Sequence, residues 1–220
     1  MGLFGEATGS ILRMPKFLRA TPIPTRIVRI SAGQLETVLH QTERVTLIAR
    51  TLVGGRNQAD LTASPESASW SVAQCLDHLA QTTKAFVPVM ASAIARAPRL
   101  TTNRALRTGA LTQLFIRNLE PPYRLRFKVL APLVPRRHDF SSAWGAFEES
   151  QAQLAKTIRS AAGLAIDQVR VESPVYARFS YNVYGAFRML AAHQRRHLWQ
   201  MERILEALAG TEVRQLPKFK

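Results

Sequence analysis

The amino-acid sequence predicts an all-α fold, a four-helix bundle with a basic N-terminal arm and an extended connection between helices 2 and 3. Apolar residues recur at three- and four-residue steps in four separate runs, which is the period of amphipathic helices. Two of the connections between these runs are long, and the sequence contains no internal repeat. We therefore expect an arm over residues 1–30, the bundle over residues 31–210 and a C-terminal tail over residues 211–220.

The arm is expected to lack regular structure. Pro15, Pro22 and Pro24 interrupt any helix there, and several basic residues are accompanied by a single acidic one, Glu6. This composition predicts a flexible basic segment ahead of the first helix.

Helices 1 and 2 are bounded by familiar sequence signals. Helix 1 is predicted from Ser31 and stops at the glycine pair Gly54 and Gly55. A polar loop follows, and helix 2 begins near Trp70. Pro88 lies in its later part and is expected to kink or end it.

Residues 96–137 form a strongly basic stretch whose only acidic residue is Glu120. A short helix is predicted around residues 106–118. Residues 123–129 then alternate apolar and basic side chains, which is typical of an extended segment with one basic face. Helix 3 is predicted from about Ser142 with Gly163 as its C-cap, and helix 4 from about Asn182 to Ala209.

Helix 4 contains the strongest candidates for metal ligands. At about 100° per residue, His197 falls within the apolar stripe and His193 lies one turn earlier on its shoulder. Two imidazoles four residues apart on one face can reach the same ion. An inward histidine without such a role is usually a hydrogen-bonded core residue, so the pair alone leaves both interpretations open. The opposite side is predicted to hold the charged residues, which are Arg188, Arg195, Arg196, Arg203 and Glu206.

The third candidate is His78, which flanks the apolar stripe of helix 2. That position suits a ligand at the mouth of a cleft between helices, and it suits a surface histidine equally well. Gln194 occupies the position that glutamate takes in the metalloprotease motif HExxH, so that chemistry is excluded.

The other candidate ligands have simpler interpretations. His40 lies off the core stripe of helix 1 and His138 follows two arginines, so both are expected to be solvated. Asp77 is predicted to face solvent. Cys75, the only cysteine, is expected to be a small core thiol, and its lack of a partner excludes an intrachain disulfide.

Two segments resemble a known family. The residues Trp70, Ser71, His78 and Leu79 resemble the Trp-Ser-x-x-x-x-x-x-His-Leu entry to the second helix of DinB-like (DinB/YfiT) proteins. The His-x-x-x-His segment at residues 193–197, followed by Leu-Trp-Gln, resembles the closing helix of the same superfamily. The resemblance covers roughly residues 31–210, and it is the joint occurrence of both histidine motifs that makes it specific.

This resemblance implies a bundle in which three histidines hold one divalent metal ion, zinc or nickel, with further positions open to water or substrate. The matching positions are His78, His193 and His197. Some members of the superfamily transfer low-molecular-weight thiols, and one isomerises maleylpyruvate with such a thiol. We therefore expect a metal-dependent thiol transferase or hydrolase acting on a small molecule. The catalytic residues stay unknown, and Tyr181, Tyr184 and arginines of residues 117–128 are candidates to line the cleft.

The charge balance leaves a second function open. The chain has 30 Lys and Arg against 15 Asp and Glu, a net charge of +15. Such a balance attracts polyanions, so a non-catalytic protein that binds nucleic acid or an anionic surface, with a structural metal, is the alternative. No nucleic-acid-binding motif is visible, and this interpretation is not favoured. The absence of a transmembrane run or secretory signal predicts a cytoplasmic protein, and a homodimer paired through residues 123–129 or Trp199 stays open.

Overall fold

The structure is a computed structural model, and it describes residues 29–67, 69–122, 129–176 and 178–210. The predicted tail and nearly all of the predicted arm lie outside the described residues. The same holds for residues 123–128, which make up most of the predicted extended segment.

The described part of the chain is mostly helical, which confirms the predicted class. Its α-helices are α1 (Arg29–Val53), α2 (Gln58–Thr62), α3 (Val72–Ala95), α4 (Ala110–Leu119), α5 (Phe140–Ser160) and α6 (Val183–Leu208). Two short antiparallel strands, β1 (Arg170–Glu172) and β2 (Ser180–Asn182), precede α6, and residues Ala131–Leu133 form a 3-10 turn. None of these helices is long and apolar enough to cross a lipid bilayer.

The predicted helices 1 to 4 correspond to α1, α3, α5 and α6, and polar caps set where three of them begin. The Ser71 hydroxyl accepts a hydrogen bond from the Gln74 amide at the start of α3, and the Gln74 side chain accepts one from the Ser71 amide. At the starts of α5 and α6 the side chains of Asp139 and Asn182 accept hydrogen bonds from the amides of Ser142 and Gly185, without a return hydrogen bond. The C-cap of α5 is Ala161 rather than the predicted Gly163, which has a φ of 74° and lies two residues further on.

Three further local expectations need correction. Pro88 does not end its helix, because α3 continues to Ala95. The short α2 and the β1–β2 hairpin were not expected, since each element is too short to show a periodic pattern. The short helix expected at residues 106–118 is present as α4, and it begins later.

The four long helices pack on one another, and α4 lies across α6. α3 contacts α5 and α6, and α1 contacts the same two helices from the other side. α4 approaches α6 closely at Gly185, where a Cβ atom would lie 3.1 Å from a Thr112 methyl carbon. A side chain at this position would therefore push α4 outward.

The interior contains two apolar clusters and a set of buried polar side chains. One cluster centres on Phe86, Leu154 and Phe187, and the other on Phe147 and Met201. The buried polar side chains of α3, α5 and α6 include His78, Thr82, Thr83, Ser150, Gln151, Gln194, His197 and Gln200. Polar groups buried in this way lack water and must find partners within the protein.

The segment that follows α4 is tied to α3 by Asp77, whose side chain is fully buried rather than solvent-facing. Its carboxylate accepts hydrogen bonds from the amides of Arg136 and Arg137, at 2.6 and 3.0 Å, and from the Arg137 guanidinium at 2.8 Å. Burial alone would raise the pKa of Asp77, but hydrogen bonds from Arg137, Arg136 and Gln81 lower it, so the carboxylate stays ionised.

We expect Asp77→Ala to lower the free energy of unfolding by about 2 kcal/mol, because it removes a buried carboxylate that accepts hydrogen bonds from Arg136 and Arg137. Urea denaturation followed by circular dichroism measures this change. Glu148→Ala is the matched control, since Glu148 forms an exposed ion pair with Arg50. It should cost less than about 1 kcal/mol. Equal effects of the two substitutions would contradict the anchoring role of Asp77.

Candidate metal centre

His78 lies two turns into α3, and it is buried with 3% of its surface exposed. Its Nδ1 is 2.7 Å from the carbonyl oxygen of Leu133, which belongs to the 3-10 turn of the segment anchored by Asp77. A carbonyl oxygen only accepts hydrogen bonds, so Nδ1 carries the proton in this contact. The Nε2 atom of His78 is therefore left with a lone pair that points away from the turn.

His193 and His197 lie one turn apart on α6 and face α3. The Nδ1 of His197 is 2.8 Å from the side-chain oxygen of Gln200, which is itself buried. This contact again places the proton on Nδ1 and leaves Nε2 as the free nitrogen. The indole of Trp70 stacks on the His197 ring, with centroids 5.9 Å apart and planes 18° apart.

The three rings meet between the two helices. His78 Nε2 and His193 Nε2 are 3.3 Å apart, and the ring centroids of His197 lie 4.6 Å from those of both other histidines. One ring nitrogen from each residue lies within 4.8 Å of the others, which makes this a group that could hold a metal ion. The sequence-predicted residues are thus brought together by the fold.

The electrostatic setting keeps all three rings neutral. Burial lowers the pKa of His78, and it lowers the pKa values of His193 and His197 well below their usual value. The Arg196 charge adds to this effect, and protonation of any one ring would further disfavour a proton on its neighbours. Neutral imidazole is the form that binds metal ions.

The separation of the ring nitrogens fits a divalent ion. The Nδ1 atom of His193 is buried and has no hydrogen-bond partner within the described residues, and an ion held by Nε2 would leave it so. Nitrogens bound at about 2.0–2.1 Å to a tetrahedral ion lie about 3.3–3.4 Å apart, and the His78–His193 separation is 3.3 Å. A shared cation would satisfy facing lone pairs that otherwise repel one another.

The histidines lie at the inner end of a cavity of about 690 Å³. Its walls are mainly apolar and come from α3, α4, α6, the 3-10 turn and the β1–β2 hairpin. The outer end is marked by exposed apolar residues, including Leu111 on α4 and Phe179 beside the hairpin. A ligand of the three histidines would have to reach them through this space.

Arg196 also lines the cavity, which corrects the expectation that it lies on the solvent side of α6. It is 3% exposed, and its guanidinium donates a hydrogen bond to the Asn118 carbonyl. Helix α4 and the residues after it cover this face of α6, so a wheel drawn from α6 alone misplaces the residue. Tyr181 lines the cavity, whereas Tyr184 lies in the core and accepts a hydrogen bond from Gln34.

The other candidate residues are not part of the three-histidine group. His40 is exposed on α1 beside Glu36 and Glu43, and His138 is exposed near Gln74. Cys75 is a buried core thiol, as predicted, and burial raises its pKa strongly. A high pKa keeps the thiol protonated and makes it a poor nucleophile.

Sequence reasoning missed the two groups that orient the rings. Gln200 lies three residues after His197, so its helical spacing was a usable signal. The Leu133 carbonyl gave no signal, because it is a backbone group 55 residues from His78.

Comparison with known proteins gives one match. The family model of the DinB superfamily matches residues 41–201, a span that includes all three histidines. Searches of curated proteins and of solved structures each gave no significant match.

In metal-free protein we expect His193 and His197 to stay neutral as the pH falls from 8 to 6, because burial lowers both pKa values. The free His197 ring should carry its proton on Nδ1. Long-range proton–nitrogen NMR spectra report both the charge and the tautomer of each ring. A titration midpoint near the ordinary value of 6.5 for either ring would contradict the buried neutral site.

Proposed function

The chain belongs to the DinB superfamily, and we propose that it binds one divalent metal ion through His78, His193 and His197 and uses it to act on a small molecule. The observation that best supports this proposal is that one ring nitrogen from each histidine lies within 4.8 Å of the others. We also propose the DinB-type four-helix bundle, formed by α1, α3, α5 and α6, as the framework over residues 31–210.

Zinc and nickel are the expected ions. Neutral imidazole nitrogens suit zinc, nickel, copper and iron, whereas magnesium and calcium prefer oxygen ligands. The hydrogen bonds from His78 to Leu133 and from His197 to Gln200 support the proposal. Outer contacts of this kind fix ring orientation and raise the basicity of a metal ligand.

A catalytic rather than purely structural centre is favoured by the position of the histidines. Structural zinc sites are closed by four protein ligands, whereas catalytic sites keep a position open to substrate. Here three histidines lie at the end of a cavity, and no cysteine, aspartate or glutamate among the described residues completes the group.

The chemistry follows from this layout. A divalent ion held there would lower the pKa of a water or thiol that occupies its open position. The protein residues then shape the surroundings: the apolar walls exclude water, and Arg196 places a positive charge near the histidines. Burial raises the pKa of Tyr181 to about 12, so its hydroxyl stays neutral and can donate a hydrogen bond to a substrate. Thiol transfer and hydrolysis both suit this arrangement.

The polyanion-binding alternative is less well supported. Several arginines of the described connection are engaged within the molecule: Arg104 pairs with Asp167, and Arg137 pairs with Asp77. These contacts fix the connection on the helices rather than present a free basic face. The basic residues at positions 124, 126 and 128 lie outside the described residues.

We expect purified protein to bind about one equivalent of zinc or nickel. His78→Ala, His193→Ala and His197→Ala should each weaken binding by more than the roughly 10–100-fold that outer-sphere contacts contribute. Elemental analysis and competition with a chromogenic chelator measure stoichiometry and affinity. His40→Ala and His138→Ala are matched controls, because they remove exposed histidines far from the site. Equal metal content in all five variants would refute the proposed ligands.

Chelation distinguishes an enzyme from a protein with a structural metal. We expect metal-free protein to keep its helical circular dichroism, since the two apolar clusters are held by hydrophobic contacts rather than by the three histidines. Consumption of a low-molecular-weight thiol with an electrophilic acceptor should stop on chelation and return when zinc or nickel is restored. His193→Ala should abolish it and His138→Ala should not. Loss of the fold on chelation, without any metal-dependent turnover, would favour a structural metal instead.

A further inference from the structure

The cavity in front of the histidines has walls that suit an apolar ligand. Phe86 from α3, Leu119 from α4 and Met189 from α6 contribute to its lining, and all three are buried. A volume of about 690 Å³ is in the range that holds a small organic molecule. Because a hydrophilic ligand would leave these walls without apolar contacts, the body of the ligand should be apolar.

The inner end of the cavity is cationic. Arg196 lines the cavity one residue before His197 on α6, is 3% exposed, and donates a hydrogen bond to the Asn118 carbonyl. It is the buried one of three arginines among the described lining residues, since Arg170 and Arg178 are exposed beside the hairpin, and this described lining contains no aspartate or glutamate. A buried cation in a low-dielectric space attracts an anion far more strongly than the same cation at the surface.

The outer end continues the apolar surface into solvent. Leu111 is 86% exposed and Phe179 is 59% exposed, and both line the cavity. Large apolar side chains that are exposed side by side at a cavity entrance mark a surface that contacts a ligand. The apolar part of a ligand can thus extend from the histidines to the entrance.

From these three features we infer that the cavity binds a single-tailed amphipathic anion. Its anionic group lies at the inner end beside Arg196 and the histidines, and its apolar tail runs along the walls toward Phe179. This inference deepens the proposed function. It rests on that function in one respect, namely that the metal ion helps to hold the anionic group. It gives the substrate class as a monoanion with an apolar chain, such as a carboxylate or thiolate, rather than a hydrophilic thiol.

Isothermal titration with straight-chain probes tests the inference. Zinc-loaded protein, freed of excess metal, and metal-free protein are each titrated with hexanoate, octanoate, decanoate, 1-octanol and acetate. We expect affinity for the carboxylates to rise with chain length, up to about fourfold for each buried methylene. Octanoate should bind at least about tenfold more tightly than 1-octanol, and acetate should bind weakest.

Paired substitutions test each end of the cavity. Arg196→Met keeps an apolar stem and removes the charge, so octanoate binding should fall about tenfold or more while octanol binding is kept. Arg196→Lys should restore part of the loss. Arg159→Met is the matched control, because Arg159 pairs with Glu43 on an exposed face. Met189→Trp fills the cavity without a change of charge and should weaken decanoate more than hexanoate, whereas Leu47→Trp, on the exposed face of α1, should affect neither.

The outcomes separate this inference from the proposed function. Metal binding with no dependence on chain length, or with octanol bound as well as octanoate, would overturn the inference and leave the metal centre standing. Chain-length dependence and an Arg196-dependent preference for the anion in protein that binds no metal would support the inference and refute the metal centre. Circular dichroism of each variant shows whether a loss of binding reflects loss of the fold.

Discussion

The constraint on which the rest of the structure depends is the burial of three imidazoles at one point between α3 and α6. Each ring has two polar nitrogens, and burial leaves few partners to satisfy these atoms. Two of the six nitrogens are satisfied by fixed oxygens, from Leu133 and Gln200. One ring nitrogen of each histidine lies close to those of the other two, and a shared proton or cation would stabilise this arrangement.

This site is supported by a chain of contacts that begins away from it. Asp77 holds the amides of Arg136 and Arg137, which fixes the segment that carries the 3-10 turn. The Leu133 carbonyl of this 3-10 turn then accepts a hydrogen bond from His78, the residue that follows Asp77 on α3. Neighbouring residues of one helix therefore act on opposite ends of the same segment, because successive side chains point about 100° apart. The stability of the connection and the orientation of the ring are thus coupled.

Sequence reasoning succeeded where the determining pattern lay within one helix. The periodic runs gave α1, α3, α5 and α6, and the spacing of His193 and His197 placed both on one face. Sequence reasoning failed for residues whose burial depends on a segment from elsewhere in the chain. Asp77 and Arg196 were both expected in solvent, and both are covered by parts of the connection between α3 and α5. A helical wheel shows which residues share a face, but it does not show what covers that face.

Individual arginines of this positively charged chain have different roles in the fold. Arg104 and Arg195 form ion pairs with Asp167 and Glu120, which fasten the ends of the connection to the body of the protein. Arg196, one residue from Arg195, is instead turned into the cavity. Consecutive arginines on α6 thus serve opposite purposes: one pairs with a carboxylate near the surface, and the next carries its charge into an apolar space. The buried guanidinium therefore sets the sign of the potential that a ligand meets beside the histidines, and a positive potential there favours an anionic group over a neutral one.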